Sequence, residues 1–102
     1  MKIVIIGSSN TDMIIKVPRI PKPGETILGG RFYSAAGGKG ANQAVAAARA
    51  GGDVTFIACL GRDAMGDEAI RGFERDGIDV RHIIRDPGLP SGAALIFVGA
   101  DG

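Results

Sequence analysis

A lone cysteine, a lone histidine and almost no net charge narrow the functions open to this 102-residue sequence. One cysteine, Cys59, excludes an intramolecular disulfide. It lies in the apolar run Val54-Thr-Phe-Ile-Ala-Cys-Leu60, so a buried, reduced, structural thiol and a cytoplasmic location are expected. Pairing of Cys59 with His82 as a nucleophile and its base is disfavoured, because His82 reads as part of a strand. Twelve Lys and Arg stand against 11 Asp and Glu, for a net charge of +1. So small an excess neither displaces counterions from a nucleic-acid backbone nor holds a chain on an acidic membrane. Small molecules or protein are therefore the expected partners, with no nucleic acid and no membrane. Long apolar runs are missing as well: Ile3-Val-Ile-Ile6 ends at Gly7, too short for a signal peptide or an anchor.

Glycine is present in excess. Seventeen residues of 102 are Gly, more than twice the usual share of about 7%. No G-X-Y period accompanies them, so a collagen-like chain is excluded. With 45% hydrophobic and 23% charged residues the composition is that of a folded domain. The glycines therefore mark turns, helix ends and places where backbone approaches a neighbour or a ligand closely.

The hydrophobic pattern alternates strands with helices. Lys2 to Ile6 is a β-branched run of the kind found in a central, buried parallel strand. Asp12 to Val17 and Glu25 to Tyr33 read as strands separated by the connection Pro18-Arg-Ile-Pro-Lys-Pro-Gly24. Ala41 to Ala50 is the clearest helix, with Ala41, Ala44, Val45 and Ala48 on one face and Gly51-Gly52 at its end. Val54 to Leu60 follows as a buried strand. Asp63 is placed to cap a second helix that buries Met65, Ala69, Ile70 and Phe73 and stops at Gly77. Val80 to Arg85 and Ala93 to Val98 complete the strands. The order predicts an α/β fold with a mostly parallel sheet and flanking helices. Asp101-Gly102, a hairpin-turn dipeptide with no return strand after it, suggests a larger chain cut within a hairpin; a frayed terminus is the alternative.

Three polar clusters follow strand ends. Ala36-Gly-Gly-Lys-Gly-Ala-Asn-Gln-Ala44 runs into the first helix, where free N–H groups, the Lys39 ammonium and the Asn42 amide suit an oxygen-rich ligand. The loop is not a Walker A motif, because Tyr33 stands five residues before Gly38 and Gly40 follows Lys39. It is not a dinucleotide fingerprint either, since Gln43 occupies the third glycine position. A plain strand-to-helix turn with a solvated lysine accounts for it equally well. In Gly7-Ser-Ser-Asn-Thr-Asp12, Asn10 and Asp12 point the same way in an extended chain, an arrangement that can fix neighbouring hydroxyls; an Asx turn is the simpler account of Asn10 alone. Gly61-Arg-Asp-Ala-Met-Gly-Asp67 is explained by helix capping and the helix dipole.

Taken in order, Gly7 to Asp12, Pro23-Gly-Glu-Thr26, Gly37 to Ala44 and Gly61-Arg-Asp-Ala-Met-Gly66, with Ser91-Gly92 before the last strand, resemble the N-terminal part of the ribokinase-like (PfkB) carbohydrate kinases. The Gly37 to Ala44 block is similar to the first of that family's two signature motifs. The resemblance implies that Asn10, Asp12, Gly38, Lys39 and Asn42 contact the hydroxyls of a sugar. It also implies that the segments at about 12–17, 26–33 and 93–98 form a small β-sheet lid that doubles as a homodimer interface. The implied reaction is transfer of the γ-phosphoryl group of ATP to the 5-hydroxyl of D-ribose, with Mg²⁺ and a monovalent cation as cofactors. The alternatives are a fructose, deoxy-gluconate or nucleoside kinase of the same family, or a non-catalytic sugar-binding or dimerising module. The family's Gly-Ala-Gly-Asp motif, which supplies the base and an anion hole, does not occur among these residues. Accordingly no catalytic, nucleotide-binding or metal-binding residue is assigned, and the segment alone is expected to be inactive.

Overall fold

The computed structural model describes all residues, 1–102. In chain order the elements are β1 (Lys2–Ile6), β2 (Asn10–Lys16), β3 (Arg31–Gly37), α1 (Lys39–Arg49), β4 (Asp53–Ile57), β5 (Cys59–Gly61), α2 (Ala64–Arg75), β6 (Ile84–Asp86) and β7 (Gly92–Val98). They build two bodies of sheet. The inner one is parallel throughout: β1 pairs with β4 from Lys2↔Asp53 to Ile6↔Ile57, and β5 pairs with β6. An isolated bridge, Thr55↔Asp79, lays the return from α2 beside β4. The outer body is a sheet in the order β3-β2-β7, with β3 antiparallel and β7 parallel to β2.

Local chemistry explains both helices. Asp63 sits in extended backbone and its carboxylate accepts the Gly66 N–H, which starts α2; Asp67 then complements the positive end. Gly77, at φ +74°, turns the chain out of α2 as a left-handed C′ residue does. At the start of α1 stands Gly38, at φ +99° and with no side-chain cap. Between these helices and the inner sheet lies a core of nine buried residues, among them Ala41, Ala44, Val54, Phe56, Leu60 and Phe73. Phe56 and Phe73 meet edge to face, with centroids 5.2 Å apart.

The radius of gyration is 16.0 Å, against about 13 Å for a compact chain of this length. The outer sheet accounts for the excess, because it projects from the core body instead of covering it.

Several sequence expectations are corrected. β1 is not central among these residues: β4 is its only partner, and Val4 and Ile6 face outward, Ile6 at 76% exposed. The expected strand Val54 to Leu60 is interrupted at Ala58 and becomes β4 and β5. Side chains alternate across β5, so Ala58 and Leu60 turn inward and Cys59 between them turns out; its thiol is free and exposed, not buried. The middle outer strand lies at Arg31–Gly37 in place of 26–33, because Gly29 and Gly30 take φ of +84° and +111° and hold the preceding chain out of the ladder. Pairing with β2 then carries Ser34 to Gly37 into the sheet despite their weak strand propensity. Val80 to Arg85 is not one strand. The Asp79 carboxylate accepts the Arg81 N–H at 3.0 Å, which turns the chain at Arg81-His82 and leaves His82 in a turn. The Arg81 guanidinium beside it holds the Asp79 carboxyl below the usual carboxylate range.

Truncating the aromatic pair tests this core. Phe73→Ala removes a ring only 2% exposed and should cost about 3–5 kcal/mol of stability by urea denaturation.

Candidate functional site

The site begins where two stretches of backbone touch. The β1–β2 loop, residues 7–9, lies flat against the entry to α1, and the contact is possible only between glycines. A Cβ on Gly40 would stand 2.7 Å from the Cα of Gly7, and one on Gly7 would stand 2.8 Å from the Cα of Gly40. A Cβ on Gly38 would meet the Ser8 carbonyl at 2.7 Å. The Ala41 N–H donates to that same carbonyl at 3.0 Å, and Gly7 is tied to the core sheet by its N–H to Ile57 O at 3.1 Å. The two polar loops of the sequence are thereby held side by side.

Asn10 and Asp12 lie on the outer sheet, as the first and third residues of β2. Both are half-buried, and Asn10 Nδ2 donates to Asp12 Oδ1 at 2.7 Å, in strand geometry and not as an Asx turn. Gly37 pairs with Asn10 in the ladder, and a Cβ there would come within 2.6 Å of Asp12 Oδ1. The carboxylate therefore lies directly over the chain that leads into Gly38. Beyond it, the side chains of Lys39 and Asn42 are exposed and make no hydrogen bond within the chain. The amides of Gly38, Lys39 and Gly40 likewise find no acceptor. One carboxylate, two carboxamides, an ammonium and three free N–H groups thus converge on one region, a set matched to a polyhydroxylated ligand.

A cleft of about 570 Å³ runs between the base of the outer sheet and helices α1 and α2, and reaches Asn10 and Asn42. Asp12, Gly38 and Lys39 are not among its lining residues. The five sequence-derived residues therefore border two sides of β2 and α1 instead of lining one enclosed pocket. Gly37 and Gly92 escaped sequence reasoning. Gly92 pairs with Asn10 from the other side, where a Cβ would lie 3.3 Å from the Asn10 Cβ, and only strand register reveals either position. No group of three or more His, Cys, Asp or Glu is placed to hold a metal ion, and no helix is long and apolar enough to cross a membrane.

The profile described as pfkB family carbohydrate kinase matches residues 1–102. The chain belongs to the pfkB family of carbohydrate kinases. Among its relatives, the ribokinase of Haemophilus influenzae is 51% identical over 96 residues, covering 94% of this chain and 31% of that protein. A deoxyribokinase of Salmonella typhi is 42% identical over 101 residues, covering 99% and 33%. The structure of Arabidopsis thaliana ribokinase complexed with ribose and ATP superposes with a TM-score of 0.87 at 35% identity, over 97% of this chain and 32% of that one. The chain spans about a third of the length of these relatives. Its α/β architecture is the family's.

The glycine contacts carry a paired prediction. A Gly→Ala change inside a helix ordinarily stabilises by about 0.5–1 kcal/mol, and Gly72→Ala in α2, with only the Arg75 guanidinium within 4 Å, should do so. Gly40→Ala should instead destabilise by about 1–3 kcal/mol, because its methyl meets the Gly7 backbone. Denaturant melts of the two variants check the opposite signs.

Proposed function

We propose that residues 1–102 are the sugar-binding part of an ATP-dependent ribokinase, which converts D-ribose and ATP to D-ribose 5-phosphate and ADP. The observation that carries this reading is the Asn10–Asp12 pair suspended over Gly37 and the free amides of the α1 entry. Because Asn10 Nδ2 already engages Asp12 Oδ1, Asp12 Oδ2 is left to accept from sugar hydroxyls. Lys39 and Asn42 reach the remaining hydroxyls, and the Gly38 backbone admits the ring closely because it carries no side chain. By register the face of β2 that bears Asn10 and Asp12 also bears Ile14, with Ile96 beside it on β7. This gives the polar pair an apolar flank against which a sugar ring can lie.

Phosphoryl transfer needs a held γ-phosphate, charge stabilisation and an acceptor for the hydroxyl proton. The residues present do not fit ATP, Mg²⁺ or a monovalent cation: the glycine loop is not a Walker A motif and no carboxylate cluster is available. No step is therefore routed through those groups here. What these residues do is bind the sugar, orient it and cover it, and the segment alone is expected to consume no ATP.

Similarity to a deoxyribokinase favours a second reading, in which a related sugar is the substrate; fructose, deoxy-gluconate and nucleosides are the other members of that class, and a non-catalytic sugar-binding or dimerising module is a further alternative. Competition among these sugars in the protein at its natural length separates them. On the ribokinase reading Asp12→Ala lowers kcat/KM for D-ribose by about 10- to 100-fold, the worth of a hydrogen bond to a charged group. An unchanged KM and kcat would remove Asp12 from the site.

The outer sheet is the proposed lid and homodimer interface. Its face away from Asp12 carries Met13, Ile15, Phe32, Leu95 and Phe97 by register, and Leu95 is 78% exposed. Such a face on a projecting sheet fits a second copy of the chain. Leu95→Glu should convert a dimer to a monomer in sedimentation. A cytoplasmic location is supported by the free, exposed Cys59 thiol and by the proposed use of ATP.

A further inference from the structure

The polar group that does more than its evident task is the Asp63 carboxylate. Capping α2 occupies one oxygen, Oδ1, which accepts the Gly66 N–H at 2.8 Å. The same carboxylate takes two more hydrogen bonds from a residue far along the chain. Ser91 N–H donates to Oδ2 at 2.7 Å, and Ser91 Oγ–H donates to Oδ1 at 2.7 Å. Ser91 is 5% exposed, and its Oγ in turn accepts the Gly61 N–H at 3.0 Å. Glycine backbone encloses it: a Cβ on Gly61 would lie 2.5 Å from Ser91 N and 2.6 Å from Leu89 O, and one on Gly66 would lie 3.0 Å from Ser91 Oγ. These hydrogen bonds, the Ser91 backbone bond foremost, hold the Asp63 carboxyl below its ordinary range. Arg85, from β6, reinforces the socket by donating to Gly61 O at 2.9 Å.

The next residue is Gly92, which opens β7 and pairs with Asn10; Ala94 pairs with Asp12. β7 is an edge strand with β2 as its only partner, and the residues leading to it, 87–90, are exposed. Ser91 is therefore the point at which β7 is fastened to the core body, one residue from the strand position that abuts Asn10.

We propose that Asp63 is a positioning residue for the sugar site: through Ser91 it pins the start of β7 and so sets the place of Asn10 and Asp12. The inference rests on the sugar-kinase reading for its consequence in catalysis, and on the hydrogen-bond geometry alone for the anchor. Asp63 touches no sugar.

The decisive variant is Asp63→Asn in the protein at its natural length. Asparagine also caps helices well, and its carbonyl can still accept from Gly66, but its NH₂ cannot accept the Ser91 N–H. The expected result is a KM for D-ribose raised about tenfold with kcat within about twofold, and faster amide exchange at residues 92–94 while α2 exchanges as before. Ser91→Ala, which keeps the Ser91 N–H bond, should give a smaller rise in KM and serves if Asp63→Asn does not fold. Unchanged exchange at residues 92–94 overturns the anchor whatever the substrate. Faster exchange there with an unchanged KM overturns the coupling to the site. If the unaltered protein does not phosphorylate ribose, the kinase reading fails, and exchange at residues 10–12 decides: faster in the variant upholds the positioning role, unchanged overturns it.

Discussion

Everything in the proposed site depends on two backbones lying in direct contact, the β1–β2 loop at Gly7 to Ser9 against the α1 entry at Gly38 to Ala41. A helix start without a side-chain cap would ordinarily leave its donors to water. Here the loop satisfies one of them, Ala41 N–H to Ser8 O, and leaves those of Gly38, Lys39 and Gly40 open. The same contact sets the point at which β2 leaves the core, and with it the places of Asn10 and Asp12. Three glycines make it possible, since any Cβ at position 7, 38 or 40 would lie within 2.8 Å of opposing backbone. Part of the chain's glycine surplus is thus a geometric requirement of the site.

The helices were legible in the sequence because their signals are local. Asp63 and Gly77 mark the ends of α2, and the spacing of Ala41, Ala44, Val45 and Ala48 marks the buried face of α1. The pairing of Asn10 with Asp12 was legible because a strand repeats every two residues. What failed depended on distant partners. Ser34-Ala-Ala-Gly37 has nothing strand-like in its composition and becomes β3 through pairing with β2, where small residues make room for Asp12. Cys59 looked buried inside an apolar run, but one position of phase in β5 turned it outward. The projection of the outer sheet left no mark on the pattern at all, because its exposed face is as apolar as a core face. The family resemblance, carried by ordered motifs, supplied the separation of lid from core that periodicity could not.

The physical division of labour is between a small rigid body and a sheet hung from it. Nine buried residues and the Phe56–Phe73 contact hold the first together. The second is attached where β2 leaves the β1–β2 loop, where β3 runs into α1, and at the Ser91 socket. A sheet attached in this way can carry binding groups on one face and a partner on the other, which is the arrangement proposed here. The Asp63 carboxylate belongs to both bodies, since it caps a core helix and holds an outer strand.

A crystal structure of the protein at its natural length with D-ribose tests the central claim most directly. The account predicts sugar hydroxyls within hydrogen-bond distance of Asp12 Oδ2 and Lys39 Nζ, with the ring lying over Gly38. Ribose bound elsewhere, with Asn10 and Asp12 still paired only to each other and Lys39 in solvent, would contradict it.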